Sequence, residues 1–381
     1  MRNRFWKFAL PIGLLILSVL ALSLSLQLEL PTPTGSYMVG QTIFRWVDTS
    51  RLEVLTDDSY DPREVMVVVW YPAVPGTGTK GKYLPGLSAI AKALEESGEL
   101  EKWEVLGLRW IHSNSYFGAE PVRDQALFPV VLLSPGNGTN VEFYASLASE
   151  IASHGYIVVG INHPYDVPAV ELSNGSIAPY DKDQWSLDAN AHQVYTAERI
   201  KARTADVLFV LDQLGIMNSN TNNLLAGVMD PEFVAVAGHS LGGITASEAC
   251  KVDARFKACI NLDGVQAGGP FSTDVAAAPP DQPFLFLTKE SQLHPRLIEK
   301  FESTSQSYWV IIHGASHESF TDGPQLQPSL LPFPNRADRI MILIQTYTLA
   351  FLDKTLKGQA DHLLSEALNG ADVSVHIFPS K

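Results

Sequence analysis

The sequence predicts an α/β fold with a mostly parallel central sheet flanked by helices, preceded by an N-terminal membrane segment. Three observations carry that reading. From Phe128 onward, short β-rich apolar runs alternate with longer helix-like stretches, which is how strands buried between two helical layers read. Phe233 to Gly243 runs a buried-strand pattern straight into Gly238-His239-Ser240-Leu241-Gly242, and the helix-like ITASEACKV follows. The 381 residues are 46% hydrophobic and 18% charged, enough to bury a full core. A chain of that length is compatible with a single large α/β unit, here placed over 41–381.

Met1 to Lys7 carries Arg2, Arg4 and Lys7 without an acid, and Phe8 to Leu26 is apolar and uncharged. As a helix that run would reach about 28 Å, close to the hydrocarbon thickness. Residues 1–30 therefore read as a signal-anchor, or as a signal peptide, with the membrane met through residues 8–26. The basic flank stays inside. Everything after Leu30 would lie across the membrane, anchored there or secreted if the segment is cleaved. Pro31, Pro33 and Gly35 make residues 31–40 a short stiff linker.

Within the domain, Gln41–Val47 and Arg63–Trp70 read as strands that start the sheet antiparallel. Gly76–Lys82 is a flexible loop, and Leu87–Glu104 a helical insertion within residues 84–115. The alternation then runs strand Phe128–Ser134, helix Val141–Ser153 and strand Tyr156–Asn162. Val167–Asp188 is polar and irregular, a length that usually covers a site or is mobile. Helix Ala189–Leu214 leads to the Ser240 turn. Strands Phe256–Leu262, Pro283–Thr288 and Tyr308–Ile312 follow, with helices Pro295–Glu302 and Ile340–Lys354. Ligands of such sheets sit at the carboxyl ends of the strands.

The formal net charge of −14 comes with no basic stripe, which argues against a nucleic-acid partner. Cys250 and Cys259 are the two cysteines. They read as buried free thiols on a helix and the next strand, and a disulfide stays open in an exported protein. No spacing suggests a metal, and the chemistry below calls for no cofactor. Oligomeric state is not legible.

The Ser240 stretch is the G-x-S-x-G elbow in its strand–turn–helix context, the nucleophile turn of the α/β-hydrolase fold. A serine on a sharp turn crowds its neighbours, and Gly238 and Gly242 relieve this because they lack a Cβ. A serine hydroxyl needs a positioned base, and the base an orienting carboxylate. In this fold the order is Ser, acid, His. His317 lies in a loop after the last strand, with His313 as its rival. Spacing leaves two acids open, Asp263 and Glu290, each at a strand end. His154 reads as a helix end, His239 as the variable elbow position, and His294, His362 and His376 as surface residues. His163 and Asp166 either shape the pocket rim or pair within a loop. Arg203 and Asp206, three apart on a helix, read as a surface ion pair.

GHSLGG, NLDG around Asp263, GASH around His317, LLSPGNG, ASHGYIVVGINHPYD and REVMVVVWYPA together resemble platelet-activating-factor acetylhydrolases of the plasma/type II kind and their bacterial relatives. The likeness spans about Gln41 to Thr321. It implies Asp263 as the acid and His317 as the base. The family's H-G-x-G oxyanion loop stands here as Pro135-Gly136-Asn137-Gly138, so its histidine is missing. The backbone N–H groups of Asn137 and Leu241 would still hold an oxyanion. The resemblance thus implies a serine esterase of short-acyl lipid or phospholipid esters. Its rivals are a cutinase-like polyester or general lipid esterase using Glu290, and a silent hydrolase fold that serves as a binding module.

Overall fold

The protein is described by a computed structural model over residues 30–84, 90–93, 95, 108, 111–123, 127–264, 281–290, 306–326, 336–360 and 362–378. The expected membrane segment at 8–26 and the expected helix at 295–302 lie outside the described residues, as do His294 and most of the Leu87–Glu104 insertion. Among the described residues no helix is long and apolar enough to cross a membrane.

The chain enters against β1 (Met38–Leu52), which pairs antiparallel with β2 (Pro62–Ala73). Short strands β3 (Thr79–Lys82) and β4 (His112–Phe117) extend that edge, so residues 79–82 are sheet and not the loop their glycine content predicts. The parallel core is built by β5 (Phe128–Ser134), α1 (Ala145–Ser153) and β6 (Ile157–Asn162). A small hairpin, β7 (Ala169–Glu171) with β8 (Ile177–Pro179), sits in the expected irregular insertion. Then come α2 (Ala189–Ser219), β9 (Met229–His239), α3 (Leu241–Val252), β10 (Phe256–Leu262), β11 (Phe284–Lys289) and β12 (Ser307–Ile312). Helix α4 (Arg336–Leu356) and the antiparallel strands β13 (Leu368–Asn369) and β14 (Val373–Phe378) close the described chain.

One sheet runs β13-β14-β12-β11-β10-β9-β5-β6-β2-β1-β4-β3. Its centre, from β6 through β12, is parallel. Strand side chains alternate between faces, and the sequence obeys this on both. Val131, Leu133, Val158, Ala235 and Ala237 pack with α1 and α4 through Leu147, Ile151, Ile344 and Phe351. Val130, Leu132, Val159, Val234 and Val236 pack with α2 and α3 through Val207, Val210, Leu214 and Ala246. Burial on both faces explains why these strands read as unbroken apolar runs.

Two expectations change here. Residues 31–40 are no free linker: Thr34 donates its N–H to Glu150 at 2.8 Å, Gly35 to Ser153 Oγ at 3.0 Å and Tyr37 to the Ser153 carbonyl at 3.0 Å. A Cβ at Gly35 would stand 2.2 Å from the Ser153 backbone, so glycine is needed for that close approach. Cys250 and Cys259 are joined as a disulfide, with Cα atoms 6.3 Å apart. Both side chains point into the layer between α3 and β10; a reading based on burial alone gives thiols because it cannot tell that they face each other.

Candidate active site

The site is assembled at the carboxyl ends of β5, β9, β10 and β12. Ser240 has φ +54°, a left-handed conformation unusual for a residue with a Cβ. The surrounding glycines are what make this turn possible. A Cβ at Gly238 would stand 2.0 Å from the Gly242 carbonyl oxygen, and one at Gly242 would stand 2.1 Å from that of Ser134. The elbow is thus wedged between its own helix and the end of β5. The Ser240 N–H donates to the Leu262 carbonyl at 2.9 Å, fixing the turn to β10.

Asp263 follows β10 directly, also at positive φ (+51°), and is buried. His317 opens a 3-10 turn, His317–Phe320, whose N-cap Ser316 forms a capping box with Ser319. That local chemistry, legible in GASHESF, sets the ring's direction. His317 Nε2 lies 2.9 Å from Ser240 Oγ, and His317 Nδ1 lies 2.6 Å from Asp263 Oδ2. The other Asp263 oxygen, Oδ1, accepts the Lys289 N–H at 3.3 Å. The rival residues pair elsewhere: His313 Nδ1 lies 3.0 Å from Glu290 Oε1 and its Nε2 lies 2.9 Å from Ser374 Oγ.

Asn137 and Leu241 both line the cavity beside Ser240. As the first residue of α3 (Leu241–Val252), Leu241 has an N–H with no intrahelical partner, and the positive end of the helix dipole lies there. The cavity measures about 230 Å³ and is also walled by Gln184, Trp185, Tyr195, Thr196, Arg199, Ile244 and His317. The 167–188 insertion therefore contributes to the site. Asn137 Nδ2 donates to Gln184 Oε1 at 2.9 Å, latching that insertion to the β5 loop.

A second, buried Ser-His-Asp arrangement starts at Ser134, the last residue of β5. Ser134 Oγ is 2.9 Å from His163 Nε2, and His163 Nδ1 is 2.8 Å from Asp206 Oδ2. All three side chains are buried, so no substrate reaches Ser134. Burial and the nearby Arg203 lower His163 to about 4. Burial opposes ionisation of Asp206, but Arg63 and His163 hold its carboxyl far below the usual range. Arg63 donates to both Asp206 oxygens, at 3.1 and 2.7 Å. Asp166 instead takes a bidentate pair from Arg199 at 2.8 and 2.9 Å, and its carbonyl accepts the Gly138 N–H at 2.8 Å. Arg203 donates to the Pro135 carbonyl. The expected surface pair Arg203–Asp206 is thus two separate buried groups, Arg203 bracing the loop 135–138 at Pro135 and Asp206 held by Arg63 and His163. The sequence could not show this, because α2 is apolar and polar by turns and its buried face is set by the strands below it.

Sequence reasoning gave His239 only as the variable elbow position and did not single out Tyr144. His239 is buried, 2.8 Å from Tyr144 Oη through Nδ1 and 3.1 Å from the His317 carbonyl through Nε2. The one available signal was a histidine beside the elbow serine, with VEFY just after the β5 loop.

The chain is similar to several known proteins. A ferulic acid esterase from Streptomyces cinnamoneus superposes with a TM-score of 0.68 at 27% identity, over 90% of this chain and 96% of its own. A platelet-activating factor acetylhydrolase of Cavia porcellus is 27% identical over 62% of this chain. A probable 1-alkyl-2-acetylglycerophosphocholine esterase of Arthroderma benhamiae is 25% identical over 71%. These two matches span 59% and 68% of the relatives' own lengths. Sheet order and elbow define an α/β-hydrolase, the class that includes carboxylic ester hydrolases. More narrowly, the chain belongs to the family platelet-activating factor acetylhydrolase, isoform II, which it matches over residues 22–370.

Proposed function

We propose that the protein is a serine esterase that hydrolyses short-acyl lipid or phospholipid esters. The observation that carries this is the unbroken line from Ser240 Oγ through His317 to Asp263, opening on a cavity. Ser240 attacks the ester carbonyl while His317 Nε2 takes its proton, and Asp263 holds the ring and stabilises the imidazolium. The N–H groups of Asn137 and Leu241 receive the developing oxyanion. His317 then gives its proton to the leaving alcohol, and water, activated by the same imidazole, frees Ser240. A cavity of about 230 Å³ is below the roughly 300–1,000 Å³ of pockets that enclose drug-sized ligands, which favours a short acyl group. The acetylhydrolase relative and the probable 1-alkyl-2-acetylglycerophosphocholine esterase point the same way.

The test is reaction of the full chain with a fluorophosphonate probe and peptide mapping. One adduct on the Ser240 peptide is expected. Ser240→Ala is expected to lose it, together with about 10⁴-fold or more of esterase activity on an acetyl ester. Lengthening the acyl chain should lower kcat/KM. Hydrolysis that instead rises on insoluble polyester would favour a cutinase-like enzyme. A folded chain that neither labels nor hydrolyses would leave a binding module.

A further inference from the structure

A buried hydrogen-bond chain joins the two halves of the candidate site. The Gly136 N–H donates to Tyr144 Oη at 2.9 Å; Tyr144 Oη lies 2.8 Å from His239 Nδ1; His239 Nε2 lies 3.1 Å from the His317 carbonyl oxygen. A carbonyl oxygen only accepts, so His239 Nε2 carries a hydrogen. In a neutral ring Nδ1 is then bare and accepts, so the Tyr144 hydroxyl donates to it while accepting from Gly136. Every group has one role, and all run one way. Neutrality is what the surroundings enforce: burial, and then the adjacent His317, push the His239 ring well below its ordinary value. The ring is also clamped, with its centroid 4.5 Å from that of His317 and stacked 5.7 Å from Phe320.

We infer that His239 is a positioning residue, which through Tyr144 locks the backbone of His317 to the Asn137 loop so that base and oxyanion donors keep one geometry. Such a coupling touches no substrate. It acts on the reacting alignment and leaves the binding walls, Trp185, Tyr195 and Ile244, in place. Its loss should therefore fall on kcat and on the rate of probe labelling, with little change in KM. A misplacement of the order of 1 Å in such a site costs about 100-fold in rate.

The inference rests on the serine-esterase reading, and the experiment separates the two. His239→Phe keeps the ring stack and removes both bonds, His239→Gln restores a donor toward the His317 carbonyl, and Tyr144→Phe cuts the chain in its middle. His239→Phe is expected to lower kcat on a soluble acetyl ester and the labelling rate of Ser240 by about 10- to 100-fold, with KM within threefold. His239→Gln should recover most of that loss, and Tyr144→Phe should show an intermediate loss. Should His239→Phe fail to fold, Tyr144→Phe decides alone. Nitrogen-15 NMR of the wild-type ring is expected to show a neutral Nε2–H tautomer. A protonated Nδ1, or a folded variant with kcat and labelling within twofold of wild type, overturns the inference. If the wild type neither labels nor turns over, the esterase reading fails instead, and the tautomer still reports whether the chain exists.

Discussion

At the scale of single residues, Gly242 and Asp263 hold the site's geometry by opposite means. Gly242 does so by lacking a side chain: alanine there would press its methyl into the Ser134 carbonyl, 2.1 Å away. Gly242→Ala should therefore lower stability by about 2 kcal/mol or more, the scale of overpacking against a backbone that cannot yield, measured by urea denaturation. In the proposed mechanism Asp263 acts through charge and orientation. Asp263→Asn should lower kcat by about 10⁴-fold, the cost of presenting the wrong imidazole tautomer. Glu290→Gln should stay within a few-fold of wild type, since Glu290 pairs with His313. Loss in the second variant and not the first would reassign the acid. Spacing could not separate these carboxylates, because both follow strands of the same sheet; only the path of the chain after β12 decides which one His317 meets.

At the scale of elements, the runs that read cleanly were those buried on both faces. Phe128–Ser134 and Phe256–Leu262 are strands over the expected residues, because a doubly covered strand carries an unbroken apolar signal. The strands β3 and β4 at one margin of the sheet went unseen for the opposite reason. TKGK and HSNSYF owe their strand state to neighbours that offer a ladder, and no local propensity announces it. The elbow was legible as a motif, whereas its support was not: His163, Arg203 and Asp206 come together only when α2 folds across β5 and β6. The Cys250–Cys259 bond likewise needs the packing of α3 on β10. It closes a short loop, with a sequence separation of 9, and the chain-entropy model gives such a crosslink about 2–3 kcal/mol. Replacing both cysteines with alanine should lower the unfolding free energy by about that much. An equal midpoint with and without the bond would show that the fold holds α3 unaided.

For the molecule as a whole, buried carboxylates set a stability trend with pH. Burial raises both Asp322 and Glu142 to about 7. Asp322 joins Tyr83, Ser146 and the turn after His317 to the body of the fold. Since the native state holds these protons more tightly than the unfolded chain does, their contribution is complete below the ordinary carboxylate values and fades as pH rises through about 7. His163, lowered to about 4, runs the other way: its contribution is complete above about 6.5 and is lost as pH falls through 4. Asp322→Asn should accordingly flatten the loss of stability between pH 5.5 and 7.5, read as urea midpoints at the two pH values. An unchanged slope would assign the trend to other groups.

The chain's point of entry has a consequence for how the protein meets its surroundings. Thr34, Gly35 and Tyr37 are fastened to the last turn of α1, at the amino ends of the parallel strands, whereas Ser240, Asp263 and His317 stand at the carboxyl ends. Doorway and handle are on opposite poles. Any support gripping the chain upstream of Leu30 would hold the molecule from behind, with its opening turned outward. A ligand of the cavity would then arrive from the medium or from a facing surface, and not from the support.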